Sequence, residues 1–168
     1  MKIDLILKFE AGYRAGALYA NPKIEVFPGK YTENWVDTQA GKENAKVLFN
    51  QGADVVYHAA GRCGLGVIEA ARESKKYAIG VDSDQDGEAK GSVLTSMIKH
   101  CDEAVFQTIK DLKEGKFDAG LKTYDLKSKG VGLSEMKYTR AIVGEATIKR
   151  IDEITKDIID GKIVVPKM

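Results

Sequence analysis

The stretch ADVVYHAAGRCGLGVIEAARESKKYAIGVDSDQ, residues 53–85, decides the fold of this chain. Residues 53–60 and 77–82 are short apolar runs typical of buried strands, and residues 67–76 between them have the pattern of a helix. A glycine-rich loop, GRCGLG at 61–66, joins the first run to the helix. A strand, a helix and a second strand in this order predict a right-handed crossover and two neighbouring parallel strands.

The flanking sequence continues the alternation of helices and strands. It predicts further helices at 4–20, 38–50, 102–115 and 145–161, further strands at 24–27, 92–98 and 121–126, and a glycine-bearing turn at 127–133. No repeat, linker or low-complexity stretch interrupts the pattern. We therefore predict a single α/β domain over residues 1–168, with a parallel sheet and flanking helices.

The composition is that of an ordinary globular protein, with 43% hydrophobic and 30% charged residues. The 26 Lys and Arg residues nearly balance the 25 Asp and Glu residues, which argues against nucleic acid as a partner. No run approaches the length of a membrane span, and the amino terminus lacks the pattern of a signal peptide. The sequence as written thus predicts a soluble chain that is not exported.

The potential metal ligands of sulfur and nitrogen type are few. Cys63 and Cys101, with His58 and His100, repeat no zinc-ligand spacing and form no disulfide framework. We predict neither a metal site nor a cofactor.

An acidic loop follows the strand at 77–82 and imitates the first half of a calcium-binding loop. Asp82, Asp84, Asp86 and Gly87 fit that pattern, but Val93 stands where a bidentate glutamate is required. The loop also follows a strand and not a helix, so calcium is rejected.

A dinucleotide site is the second specific interpretation of this region. Gly61, Gly64 and Gly66, with Asp82 after the next strand, imitate the order of the Rossmann fingerprint. Their spacing is GxxGxG and not GxGxxG, which makes the match weak. The chemistry of the aspartate remains, because a carboxylate at a strand end can accept both hydroxyl protons of a vicinal diol.

Position in the fold selects three loops as candidates for ligand contact. In an open α/β sheet the ligand lies outside the carboxyl ends of the strands, where residues 30–35, 61–66 and 82–85 are expected. Each has an ordinary structural alternative, since loop carboxylates cap helices, glycines make turns and a loop tryptophan covers a core.

Most of the chain resembles the carboxyl-terminal part of the basic membrane protein family, the purine nucleoside receptor A-like solute-binding lipoproteins of ABC transporters. The resemblance is carried, in order and with similar gaps, by KFEAGYRAG (8–16), GKENA (41–45), residues 51–71, YAIGVDSDQ (77–85), LTSMIKHCDEAV (94–105) and YDLKSKGVGL (124–133).

The resemblance implies two Rossmann-like lobes that close on a ligand at a hinge, and it implies roles for particular residues. Asp82 would hold the ribose hydroxyls of a nucleoside, and Lys99 would donate to the same sugar. Trp35 would stack on the base, and Gly61 would let the backbone approach the ligand. Asp84 is a further ligand-binding candidate, with a helix cap as its alternative.

Compared with members of the family, the chain is expected to lack the first lobe, the lipidated cysteine and the strand before residues 8–16. That strand would lie between 24–27 and 53–60, and the helix at 102–114 would expose an apolar face. We therefore expect a truncated or split product that forms a homo-oligomer or joins an amino-terminal companion lobe. The family also implies membrane subunits of an ABC transporter as partners and an extracytoplasmic, membrane-associated location, whereas the chain made as written would be cytoplasmic.

Three functions remain open from the sequence. The leading one is a solute-binding subunit, or half of one, that recognises a purine nucleoside or a similar small molecule without catalysis. The alternatives are an enzyme domain of Rossmann type that binds a nucleotide cofactor, and an oligomeric remnant that binds nothing. The enzyme is disfavoured because neither histidine has a paired acid in a candidate loop and no nucleophile motif is present.

Overall fold

A computed structural model describes residues 1–166 and shows helices packed around one four-stranded sheet. The elements in chain order are α1 (Asp4–Ala20), α2 (Thr38–Asn50), β1 (Val55–Tyr57), α3 (Cys63–Glu73), β2 (Tyr77–Asp82), β3 (Val93–Lys99), α4 (Cys101–Lys113), β4 (Val131–Leu133), α5 (Arg140–Val143) and α6 (Glu145–Ile159). The strand–helix–strand unit predicted from residues 53–85 is present as β1, α3 and β2.

The sheet has the order β1-β2-β3-β4, and its first three strands are parallel. Tyr57 lies opposite Ile79, and Asp82 lies opposite Ile98, so the carboxyl ends of β1, β2 and β3 meet at one edge. The α/β class with a Rossmann-like arrangement is confirmed for this part of the chain. The fourth strand departs from the expected parallel sheet, because β4 pairs with β3 in the antiparallel direction.

Two predicted strands do not form, and a predicted turn contains a strand. Residues 24–27 have no regular secondary structure and pair with no strand among residues 1–166, and residues 121–126 are irregular. The turn ends earlier than predicted, at Gly130, which donates its N–H to the carbonyl of Asp125 at 2.8 Å. The chain therefore reverses before residue 131 and pairs directly afterwards as β4.

The core lies between one face of the sheet and the helices α2 and α3. Val56, Ala78 and Val93 supply the sheet side, and the helices supply Phe49 and Ile68 among others. The two helices approach closely enough that a side chain in place of a glycine would overlap backbone: a Cβ at position 41 would meet the Cys63 carbonyl, and one at position 66 the Thr38 carbonyl.

The other long helices are much less covered. α1, α4 and α6 contain no buried residue, although each has an apolar stripe. Along α4, the apolar side chains that remain 59–65% exposed are Val105, Phe106, Ile109 and Leu112. This exposure agrees with what the resemblance implied for residues 102–114.

Candidate functional site

Asp82 and Lys99 form an ion pair at the carboxyl edge of the sheet. Asp82 is the last residue of β2 and Lys99 the last of β3, and the lysine Nζ lies 2.9 Å from the carboxylate Oδ1. Their side chains are 52% and 39% exposed. An ion pair this open to water contributes little to stability, about 0–1 kcal/mol, so both groups remain available to a ligand.

The backbone of Asp82 is in the left-handed region, with φ of +68°. A non-glycine residue there costs about 1–3 kcal/mol, and such strain collects at functional sites, where the surrounding structure enforces it. Here the next residue folds back, because the N–H of Ser83 donates to the carbonyl of Val81 at 2.9 Å. The aspartate is thus turned out of the strand direction at the end of β2.

Trp35 lies directly against the glycine loop that follows β1. Its carbonyl accepts the N–H groups of Arg62 and Cys63 at 2.9 and 3.3 Å. Gly61 has φ of +56°, and a Cβ there would stand 3.1 Å from the Trp35 carbonyl oxygen and 3.5 Å from the indole ring. Glycine at position 61 therefore leaves room for Trp35. The tryptophan is half-buried, and its backbone is held by these two hydrogen bonds.

The other two glycines of the loop face inward. A Cβ at Gly64 would overlap the imidazole of His58, and one at Gly66 would overlap the backbone of α2. Their small size serves packing inside the domain. The loop consequently does not provide the open glycine surface that a bound pyrophosphate needs.

Asp84 is exposed at the tip of the acidic loop, where its Oδ1 accepts the N–H of Asp86 at 2.9 Å. This contact closes a local turn of the Asx type. The helix cap that the sequence offered as an alternative is not formed, because residues 84–92 contain no helix. The structure places Asp84 two residues beyond Asp82 in the same loop, on the solvent side.

Asp86, which the sequence analysis considered only for the rejected calcium loop, is a buried carboxylate. Its Oδ1 accepts hydrogen bonds from the hydroxyls of Ser134 at 2.8 Å and Ser96 at 3.3 Å, and burial raises its pKa. Gln85 adds to the same network, since its backbone N–H donates to Ser96 and its side-chain oxygen accepts the Val81 N–H. The acidic loop is therefore held against β2, β3 and β4.

His58 follows β1 and is only 3% exposed. Neither ring nitrogen has a hydrogen-bond partner among residues 1–166. Burial lowers its pKa to about 4, and the opposing influence of Gln85 and of the Asp82 carboxylate is too weak to restore it. The ring is therefore neutral at neutral pH, beside the edge that carries Asp82.

A cavity of about 630 Å³ runs along β1 and not around the ion pair. We call it the β1 groove; its lining residues include Phe9, Tyr13, Phe27, Leu48 and residues 55–58. Phe9 links the two regions, because the Lys99 ammonium lies 5.9 Å from the centre of its ring. The sequence analysis did not select Phe9 as a site residue and did not predict this contact.

Two kinds of feature are not found among residues 1–166. No cluster of three or more His, Cys, Asp or Glu side chains in this part of the chain could hold a metal ion. None of its helices has both the length and the apolar character needed to cross a membrane.

The fold is an α/β unit of Rossmann-like arrangement, and its polar groups lie at the carboxyl ends of parallel strands, the edge at which folds of this kind bind ligands. A family model described as ABC transporter substrate-binding protein PnrA-like (Bmp) matches residues 1–168. The chain belongs to this family, which confirms the resemblance found in the sequence.

Individual relatives agree with this assignment. The chain is 37% identical to "Basic membrane protein A" of Borreliella afzelii and covers 50% of that protein. It is 36% identical to "ABC transporter nucleoside-binding protein BmpA" of Lactococcus lactis and covers 51% of it. Among solved structures, an ABC transporter solute-binding protein from Aeropyrum pernix matches the whole chain with a TM-score of 0.83, at 25% identity and over 56% of its own length. The chain thus spans about half the length of the relatives it matches.

Proposed function

We propose that this chain is one lobe of a solute-binding protein of an ABC transporter, and that it binds the ribose of a purine nucleoside at the carboxyl edge of its sheet. The observation that carries the proposal is the exposed Asp82–Lys99 pair, held on a left-handed backbone at the strand ends. It supplies an acceptor and a donor side by side. A ribose diol needs this combination, because each hydroxyl both donates and accepts.

The aromatic side chains near this edge suit the base of a nucleoside. Trp35 is anchored by its carbonyl beside Gly61, so its indole can serve as a stacking surface at little entropic cost. Asp84 lies farther out in the same loop. We assign it a smaller role in ligand binding than Asp82, because its Oδ1 already accepts the hydrogen bond that closes a turn. The nucleoside-binding relative from L. lactis supports this choice of ligand class.

The proposed role is recognition without catalysis. His58 is buried and neutral and has no acid hydrogen-bonded to it, so it is a poor general base. The family assigns the membrane subunits of an ABC transporter as partners and places its members outside the cytoplasm; we extend both to this chain as part of the proposal.

Isothermal titration calorimetry with inosine, guanosine, adenosine and riboflavin tests the proposal. We expect saturable but weak binding of a nucleoside, since a two-lobed receptor gains affinity by closing both walls. Asp82→Ala should abolish the heat, while Ser83→Ala, an exposed neighbour with no side-chain hydrogen bond among the described residues, should preserve it. Titration with 2′,3′-dideoxyinosine adds a control on the ligand side. If the carboxylate binds the diol, the dideoxy compound should bind the unmodified protein as weakly as inosine binds Asp82→Ala.

Two outcomes would contradict the proposal. Binding of NAD in place of nucleosides would favour a nucleotide-cofactor domain. Equal binding of inosine and its dideoxy analogue would show that the protein does not recognise the diol.

A further inference from the structure

The hydrogen-bond ladder between β1 and β2 ends at the edge that carries Asp82, and a side chain takes its next position. In a parallel ladder a residue bonds to two alternate residues of the next strand, so His58 should donate to Ile79 and accept from Val81. The first bond is formed, at 3.3 Å to the Ile79 carbonyl. The N–H of Val81 donates instead to the side-chain oxygen of Gln85, at 2.9 Å. The glutamine amide thus stands where the next carbonyl after β1 would be.

The carbonyl of Val81, on the same side of β2, also has a local partner. It accepts the N–H of Ser83 at 2.9 Å. This hydrogen bond and the φ of +68° at Asp82 are those of a classic γ-turn, which is rare and strained. Val81 is only 5% exposed, so its N–H and C=O groups need protein partners. Residues that follow it in the chain supply both of them, in place of β1.

Gln85 is itself fixed at two points. Its backbone N–H donates to the hydroxyl of Ser96 in β3 at 3.0 Å, and that hydroxyl donates to the buried Asp86 carboxylate at 3.3 Å. Its side chain lies over Gly80, where a Cβ would stand 2.8 Å from the Gln85 Oε1 and 3.1 Å from the Gln85 Cβ. Glycine at position 80 therefore leaves the room that the glutamine amide needs to reach Val81.

We propose that Gln85 is a positioning residue for ligand binding: by accepting the Val81 N–H, it holds the turn that directs Asp82 out of the strand. This inference rests on the contact between Asp82 and a ribose diol proposed above. Within residues 1–166, Gln85 is the one side chain that is hydrogen-bonded to the backbone of 81–83. Without its oxygen, the Val81 N–H would pair with the chain that follows β1, and β2 would continue as a strand through Asp82. The carboxylate would then leave the position from which it meets the diol.

Calorimetry and NMR on the intact chain test this role. Gln85→Met keeps the size of the side chain and removes the acceptor. Its Kd for inosine should rise roughly tenfold, because the misplaced Asp82 carboxylate loses a hydrogen bond to the ligand. Binding of 2′,3′-dideoxyinosine should be as weak as to the unmodified protein, since this ligand has no diol. In the free variant, the coupling between the amide and α protons of Asp82 should change as φ leaves the left-handed region. The matched control is Gln51→Met, at an exposed glutamine with no side-chain hydrogen bond among the described residues, and it should alter neither measurement.

The contrary outcomes separate this inference from the proposed function. An Asp82 coupling that is the same in Gln85→Met and in the unmodified protein would overturn the inference, even if inosine binds. A lower stability in urea with an unchanged Kd for inosine would show that Gln85 only supports the fold. If no nucleoside binds the unmodified protein, the proposed function fails, and the coupling still decides whether Gln85 sets the backbone of Asp82. If Gln85→Met does not fold, Gln85→Asn, whose amide is one methylene too short to reach Val81, should give the same two changes.

Discussion

Replacing Asp82 by glycine and by alanine separates the strain of its backbone from the role of its carboxylate. Both variants lose the ion pair with Lys99, so that contribution cancels between them. They differ in the cost of a Cβ at φ of +68°. That cost is about 1–2 kcal/mol, and the extra freedom of glycine in the unfolded chain offsets about 0.5–1 kcal/mol of it. The glycine variant should therefore have the larger free energy of unfolding, by about 1 kcal/mol.

Urea denaturation followed by circular dichroism measures this difference, and calorimetry with inosine measures binding by the same two proteins. Both variants should fail to bind, since each lacks the carboxylate. Equal stability of the two would refute the left-handed backbone as a source of strain. Retained binding by the glycine variant would refute the role of the carboxylate.

Three further predictions concern the supporting structure. The pKa of His58 is lower in the folded than in the unfolded state, so the unfolded state binds more protons between pH 6.5 and about 4. The free energy of unfolding should therefore fall as the pH falls through this window. In urea denaturation the His58→Gln variant should lose less of its free energy of unfolding over the same window, by a difference on the order of 3 kcal/mol. Gly64→Ala should lower the free energy of unfolding by about 1–3 kcal/mol through overlap with that imidazole, whereas Gly87→Ala, which meets no atom within 4 Å, should have little effect in the same assay. Ser134→Ala should cost about 1–3 kcal/mol in thermal or urea unfolding, because it removes the 2.8 Å hydrogen bond to the buried Asp86 carboxylate; an unchanged midpoint would contradict that assignment.

The sequence predicted the elements whose signals are local. The unit from β1 to β2 has apolar strands, a glycine loop and a helical period within 30 or so residues, and it formed with its ends displaced by a few positions. The position of Asp82 followed from topology, because neighbouring parallel strands end at the same edge, whereas Lys99 was selected only through the family resemblance.

Features that depend on partners distant in the chain were not predicted. The segment 24–27 has the composition of a strand, but a strand needs a neighbour, and within residues 1–166 no strand pairs with this segment. β4 has only three residues and its pairing with β3 is non-local. The contact of Asp86 with Ser134 joins residues 48 positions apart, and no pattern in the sequence indicates it.

The contact between Trp35 and the glycine loop has a practical consequence. The chain contains a single tryptophan, so its tryptophan fluorescence originates at one place, beside Gly61 at the candidate site. A purine stacked on the indole would quench that emission, and a ligand elsewhere in the molecule would leave it largely unaltered. The protein thus carries its own optical reporter, by which occupancy of this edge can be followed without labels.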